Sequence, residues 1–221
     1  MRFKAIAALF TGILFAGSLA AQSFQSPPPP PPLTPENTWL LDLSTGGRVT
    51  IQLRPDIAPK SVERIKALTA RGFYNGLTFH RVIDGFMAQG GDPKGDGTGG
   101  SDLPNVPAEF SGVPHMRGTV SMARADDVNS ANSQFFIMLL PKLSLDTHYT
   151  AFGRVISGMN YVDAIEKGEP PANPSRIVHA SLGSDNFPLP PPGALAPTPP
   201  ATRPAPPARP MLPPGTTTPP K

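Results

Sequence analysis

The sequence predicts a mainly β fold, an eight-stranded antiparallel barrel capped by two α-helices. Three observations lead there. Eight short strand-like runs lie between turns rich in Gly and Pro, and the first two show clean period-two alternation of apolar residues. Only two stretches carry helical periodicity. Strands and helices do not alternate, so the βαβ plan of a parallel sheet is excluded.

The folded unit is bounded by proline. Of 32 Pro in 221 residues, seven lie in residues 22–35 and fifteen in 188–221, leaving ten for residues 36–187. Those 152 residues are enough to bury a sizeable core.

Within the domain, Trp39, Leu41 and Leu43 alternate, then Val49, Ile51 and Leu53 do so against Thr50, Gln52 and Arg54. Ser44 to Gly47 supplies the hairpin turn. Residues 59–71 read as a helix, with Pro59 at its first position, Asp56 as candidate cap, Val62, Ile65 and Leu68 on one face, and Gly72 ending it. Residues 77–82 and 85–90 read as short strands, and 90–118 as loops. Residues 118–123, 134–139 and 151–156 follow as strands, 159–167 as a short helix, and 176–182 as a final strand. Trp39, the single Trp, reads as a packing residue.

The flanks have other physics. Residues 1–21 have the pattern of a secretory signal: Arg2 and Lys4, an apolar run from Ala5 to Ala16, and small residues near a cleavage point at Ala20 or Ala21. Left uncleaved, the apolar stretch would sit at the short limit of a membrane span, about 17 residues. Membrane attachment is expected only in that case. Export makes the periplasm, or full secretion, the expected location. Pro27 to Pro32 is a stiff polyproline II spacer of about 3 Å per residue. The tail 188–221 has almost nothing apolar to bury and is expected to be disordered.

Composition removes several functions. The absence of Cys excludes a disulfide scaffold, a thiol nucleophile and a Cys-based zinc site. The formal charge of +3 resides in the flanks; residues 36–187 hold fourteen basic and sixteen acidic residues, about −2. A nucleic-acid partner is therefore not expected. Residues 95–100, Gly-Asp-Gly-Thr-Gly-Gly, open no helix and lack Gly-Lys-Ser/Thr, so they read as a surface loop. The His residues at 80, 115, 148 and 179 have no metal-ligand spacing. No Gly-x-Ser-x-Gly elbow supports a Ser-His-Asp triad, although composition permits one. Asp126-Asp127 reads as a turn.

One charge stands out. Alternation puts Phe79, Arg81 and Ile83 on one face, with His80 and Val82 on the other. An arginine on an apolar face needs a partner or a purpose. A structural ion pair and a functional role are both open at this point. Likewise Met87 and Gln89 oppose Phe86 and Ala88, and Gln134 shares a face with Phe136.

These segments resemble the cyclophilin family of peptidyl-prolyl cis-trans isomerases. Phe79-His80-Arg81, Gly85-Phe86-Met87-Ala88-Gln89-Gly90-Gly91-Asp92, Ser133-Gln134-Phe135-Phe136-Ile137 and Phe152-Gly153-Arg154-Val155 carry the likeness. It spans about residues 38–182 and implies a closed, cyclophilin-like barrel with its groove on the outer surface. The resemblance places the family's arginine on Arg81 and its proline pocket on Phe86, Met87, Phe136 and Leu145. Its polar groove residues fall on Gln89 and Gln134, and its backbone-binding stretch on Ala123, Arg124 and Ala125. Tyr149 stands where the family often has His, and can still donate a hydrogen bond. Arg124 stands where many members have Asn and could draw acidic residues. Ser144 replaces a Trp that helps hold cyclosporin, so weak cyclosporin binding is expected. Residues 126–133 run one residue longer than the commonest form.

The implied activity is X–Pro isomerisation during folding of exported proteins, with prolyl peptides and folding client proteins as partners, a monomeric state and no cofactor. Two other classes fit the same residues less fully: a module that binds prolyl peptides without turnover, and an envelope scaffold working through its proline-rich flanks.

Overall fold

The structure, a computed structural model, describes residues 29–191 and Leu195. The expected secretory signal, the first half of the proline linker and nearly all of the tail lie outside the described residues. Eight strands are present: β1 (Thr38–Leu43), β2 (Gly47–Leu53), β3 (Arg81–Ile83), β4 (Met87–Gly90), β5 (Thr119–Met122), β6 (Phe135–Met138), β7 (Ala151–Ser157) and β8 (Ile177–Leu182). The helices are α1 (Pro59–Ala70) and α2 (Met159–Asp163). The strands form one curled antiparallel sheet in the order β3-β4-β6-β5-β7-β2-β1-β8.

The barrel is completed in a particular way. No continuous ladder joins β3 to β8. Instead the chain just before β3 crosses the seam. The N–H of Gly76 reaches Ile177 O at 2.7 Å, that of Phe79 reaches Ser175 O at 2.9 Å, and that of Ile177 reaches Leu77 O at 2.9 Å. The expected strand over 77–82 is therefore split. Its first part bridges the seam, only Arg81–Ile83 joins the sheet, and Gly168 occupies the outer edge of β3 through two bonds with Val82.

Alternation in β1 and β2 works as the sequence implies. Trp39, Leu41, Leu43, Val49, Ile51 and Leu53 are all fully buried. Trp39 is the hub: its ring meets Tyr74 at 5.3 Å, Phe135 at 5.0 Å and Phe152 at 6.4 Å, the first two edge-on. On the polar side, Asp42 faces Arg48 across the hairpin and takes a two-pronged ion pair at 2.7 and 2.9 Å. Arg48 also donates to the carbonyls of Phe187 and Pro188, which fastens the start of the tail to the barrel.

Helix α1 buries Val62, Ile65 and Leu68 against the sheet and stops before Gly72, whose φ of 68° few other residues adopt at low cost. Its cap differs from the expected one. Asp56 is held by Arg54 at 2.7 and 2.8 Å, and the residue preceding the helix is Ala58, which has no capping side chain. The cap is the Glu109 carboxylate, which accepts the N–H of Lys60 and of Ser61, both at 2.9 Å. Helix α2 is shorter than the 159–167 pattern, ending at Asp163, although Val162 and Ile165 both turn inward.

The loop 91–100 is wound around a buried anion. Asp92 is 1% exposed and accepts N–H groups from Lys94, Asp96 and Gly97. The end of the proline linker lies against the barrel, where Gln52 Nε2 donates to Pro31 O at 2.7 Å.

Candidate active site

One row of residues crosses four strands on the outer face of the sheet. Arg81 on β3 pairs in register with Gln89 on β4, Gln89 with Phe136 on β6, and Phe136 with Ser121 on β5. The next row holds Ile83, Met87 and Met138. Val82, Ala88, Ile137 and Val120 point the other way, into the main core. Phe79 also lies in that core, so it does not share a face with Arg81. The alternation predicted from Phe79 fails because β3 begins only at Arg81. Arg81 is 43% exposed at the rim of a groove, not an arginine sunk in an apolar face.

Met87, Phe136 and Met138 form a second apolar cluster, with Ile83, Phe86, Ala123, Leu145 and Tyr149 packed around it. This small cluster floors a cavity of about 260 Å³, bounded further by Arg81, Gln89 and Arg124. A second cavity of about 200 Å³ adjoins it, lined by Ala125, Gln134, Ser130, Asn132 and the loop Gly97-Thr98-Gly99. Gln89, Ala123 and Arg124 belong to both. Every site residue named from the sequence lines one cavity or the other.

The polar groups are held by relays. Gln89 Nε2 donates to Gln134 Oε1 at 2.8 Å, and Gln134 Nε2 donates to Gly97 O and Gly99 O at 2.9 and 2.8 Å. The loop ordered by Asp92 thus sets the groove glutamines. Arg124 folds back across the boundary of the two cavities. Its guanidinium lies 4.7 Å from the Tyr149 ring centre and donates to the carbonyls of Ala125, Asp126 and His148. Two backbone N–H groups of the Ala123–Ala125 stretch are committed, Ala123 to Gln134 O and Ala125 to Ser130 Oγ. Ser144 sits exposed in a 3-10 turn at the rim and offers no aromatic surface there.

Sequence reasoning missed two groups. Ser121 Oγ lies 2.9 Å from His115 Nε2, and His115 Nδ1 lies 2.8 Å from Asp146 Oδ1. This is the spacing of a Ser-His-Asp triad, yet Ser121 and His115 are 0% and 1% exposed. No carbonyl can reach that hydroxyl, so the chain is not a nucleophilic site. It ties groove elements together: His115 stacks 6.3 Å from Phe136, and its backbone N–H donates to Asp146, which lies between Leu145 and Tyr149 in the chain. Tyr149 in turn stands edge-on to Phe136 at 5.6 Å. The second group is Glu169, whose Oε2 accepts from Arg81 Nε at 2.7 Å. No spacing rule joins residues 88 apart. The structural ion pair and the groove arginine are thus the same residue.

The comparisons agree with this geometry. The family described as "Cyclophilin type peptidyl-prolyl cis-trans isomerase/CLD" matches residues 40–182. A "Probable peptidyl-prolyl cis-trans isomerase" of Brucella suis biovar 1 (strain 1330) is 47% identical over 188 residues, covering 78% of this chain and 95% of that protein. "Peptidyl-prolyl cis-trans isomerase B" of Bacillus subtilis (strain 168) is 41% identical over 129 residues, 58% of this chain and 89% of that one. Among solved structures, cyclophilin AquaCyp293 from Hirschia baltica aligns with a TM-score of 0.65 at 31% identity, covering 69% of this chain and 76% of that one. A cyclophilin-type isomerase from Cryptosporidium parvum, solved in the presence of the dipeptide Ala-Pro, aligns with a TM-score of 0.61 at 30% identity, covering 66% and 98%. With a curled eight-stranded sheet, an apolar pocket beside an arginine on its outer face, and a family match over most of its length, this chain belongs to the cyclophilin-type peptidyl-prolyl cis-trans isomerases.

Proposed function

We propose that this isomerase turns over X–Pro bonds in proteins folding outside the cytoplasmic membrane, with Arg81 as the group that favours the twisted amide. One observation carries the reading: Arg81 and the ring-sized apolar pocket of Phe86, Met87, Phe136 and Leu145 border a single cavity.

The chemistry needs little more. The barrier to rotation, roughly 20 kcal/mol, is amide resonance. Twisting the C–N bond leaves a lone pair on the prolyl nitrogen. A donor aimed at that nitrogen stabilises the twisted state more than either planar one, which is what lowers a barrier. The planar guanidinium fork of Arg81 can meet both the prolyl nitrogen and the proline carbonyl. Its Nε is taken by Glu169, while its two Nη groups hold no bond among the described residues. The apolar pocket grips the proline ring while the preceding carbonyl swings. Gln89, with its amide nitrogen held by Gln134, offers its oxygen to the substrate backbone. Tyr149 supplies a phenol at the same wall, and the backbone of Ala123–Ala125 receives the residue before proline.

The export reading is supported by the sequence pattern of residues 1–21 alone: two basic residues, an apolar run and small residues at the expected cleavage point.

The test is a protease-coupled isomerisation assay on an Ala-Pro peptide, with residues 22–221 and its Arg81→Ala variant side by side. The variant is expected to lose at least tenfold in kcat/KM, about 1.4 kcal/mol, with its fold unchanged. Full activity in the variant would remove Arg81 from its role. A folded wild type without turnover would instead leave a prolyl-peptide binding module.

A further inference from the structure

We propose that Glu169 is a positioning residue that holds the Arg81 guanidinium in its working orientation. This rests on Arg81 being the donor argued above.

Arg81 Nε donates to Glu169 Oε2 at 2.7 Å, and this is the side chain's one hydrogen bond among the described residues. A guanidinium held at Nε cannot swing its plane freely, so both Nη groups stay at the cavity. The carboxylate is itself delivered by a fixed segment. Gly168, its neighbour, exchanges two backbone bonds with Val82, at 2.8 and 2.9 Å, one residue beyond Arg81. Gly168 has φ 146°, and a Cβ there would stand 2.6 Å from Pro171 Cα, so only glycine lets the segment lie this close. On its other side, Lys167 Nζ lies 3.4 Å from Asp84 Oδ1, a second clasp between the same loop and the β3–β4 turn.

The pair is open to water, with Arg81 43% and Glu169 50% exposed. Exposed pairs of this kind add little to stability. A long, half-exposed arginine has many rotamers, however, and holding one of them serves catalysis by pre-orientation. The effect of Glu169 is therefore expected in kcat, not in Tm.

The experiment measures kcat and KM on an Ala-Pro peptide by NMR exchange, and Tm by thermal denaturation of each protein. It uses the wild type, Glu169→Ala, Glu169→Gln, Arg81→Ala and the double variant Arg81→Ala/Glu169→Ala. Glu169→Ala is expected to lower kcat about threefold to tenfold, with KM within twofold and Tm unchanged. Glu169→Gln, which can still accept from Nε, is expected to recover part of the loss. In the Arg81→Ala background, removing Glu169 is expected to change nothing further. A wild-type kcat in Glu169→Ala, or the same fold loss in both backgrounds, overturns the role of Glu169 while a slow Arg81→Ala leaves the donor standing. Full activity in Arg81→Ala removes the donor and this proposal together.

Discussion

His80 is 5% exposed, with neither ring nitrogen in hydrogen-bonding geometry. Burial disfavours the imidazolium and pushes its pKa below the ordinary 6.5, against the pull of the Asp92 and Asp96 carboxylates and the nearby Gln134 amide. Arg81 acts in the same direction as burial. Between 6.5 and that lowered value the unfolded chain binds more protons than the folded one. Stability is therefore lost as pH falls through this window and is fully retained above it. His80→Gln is expected to flatten the decline of Tm between about pH 7 and pH 5, measured by thermal denaturation. An unchanged slope would assign the acid sensitivity to other groups. At this same scale the sequence was legible by residue type and misleading by geometry. Arg81, Gln89 and Phe136 are singled out by their motifs, yet their shared row emerges only from the register of three strands. Phe79 went to the wrong face because nothing local marks where β3 starts.

The elements follow their periodicity, and their ends follow tertiary contacts. The apolar spacing of α1 predicts the helix, but its N-terminus is closed by Glu109, 49 residues from Lys60 and remote in sequence. Glu109→Ala should cost about 1 kcal/mol, and up to about 2 kcal/mol, because two helix N–H groups lose a charged acceptor. Urea denaturation would show it as a lower midpoint at constant m. If stability is unchanged, the orphan N–H groups are satisfied by water. Asp56, the nearest candidate in sequence, is drawn off by Arg54, and that competition depends on how β2 enters the turn. Similarly the Gly-rich loop 95–100 reads as plain surface, whereas its backbone is wrapped around buried Asp92 and tied to Gln134. Local composition identifies the loop; only the carboxylate beneath it explains its shape.

For the whole molecule, the question is whether the flanks bear on the groove. The start of the tail is part of the fold: Phe187 stacks on His179 at 3.9 Å, and Arg48 binds the carbonyls of Phe187 and Pro188. None of Arg48, His179, Phe187 and Pro188 lines either of the two groove cavities. Truncation after residue 191 is therefore expected to leave kcat/KM on a free Ala-Pro peptide within twofold of the full chain. A clear rise on truncation would mean that a prolyl site of the tail, such as Ala196-Pro197, occupies the groove. An envelope scaffold would lose its function with the tail; an isomerase would keep it.

The sequence by itself determined the class of fold and the family it resembles. Period-two alternation, proline boundaries and long motifs are local properties, and each survives without coordinates. Only the tertiary structure decided how the barrel closes, what caps α1, and which carboxylate meets Arg81. Those outcomes depend on pairings between residues tens of positions apart, where loop geometry and competition among acceptors choose the partner. The buried chain of Ser121, His115 and Asp146 makes the same point, since its chemistry is excluded by burial and not by the residues it contains.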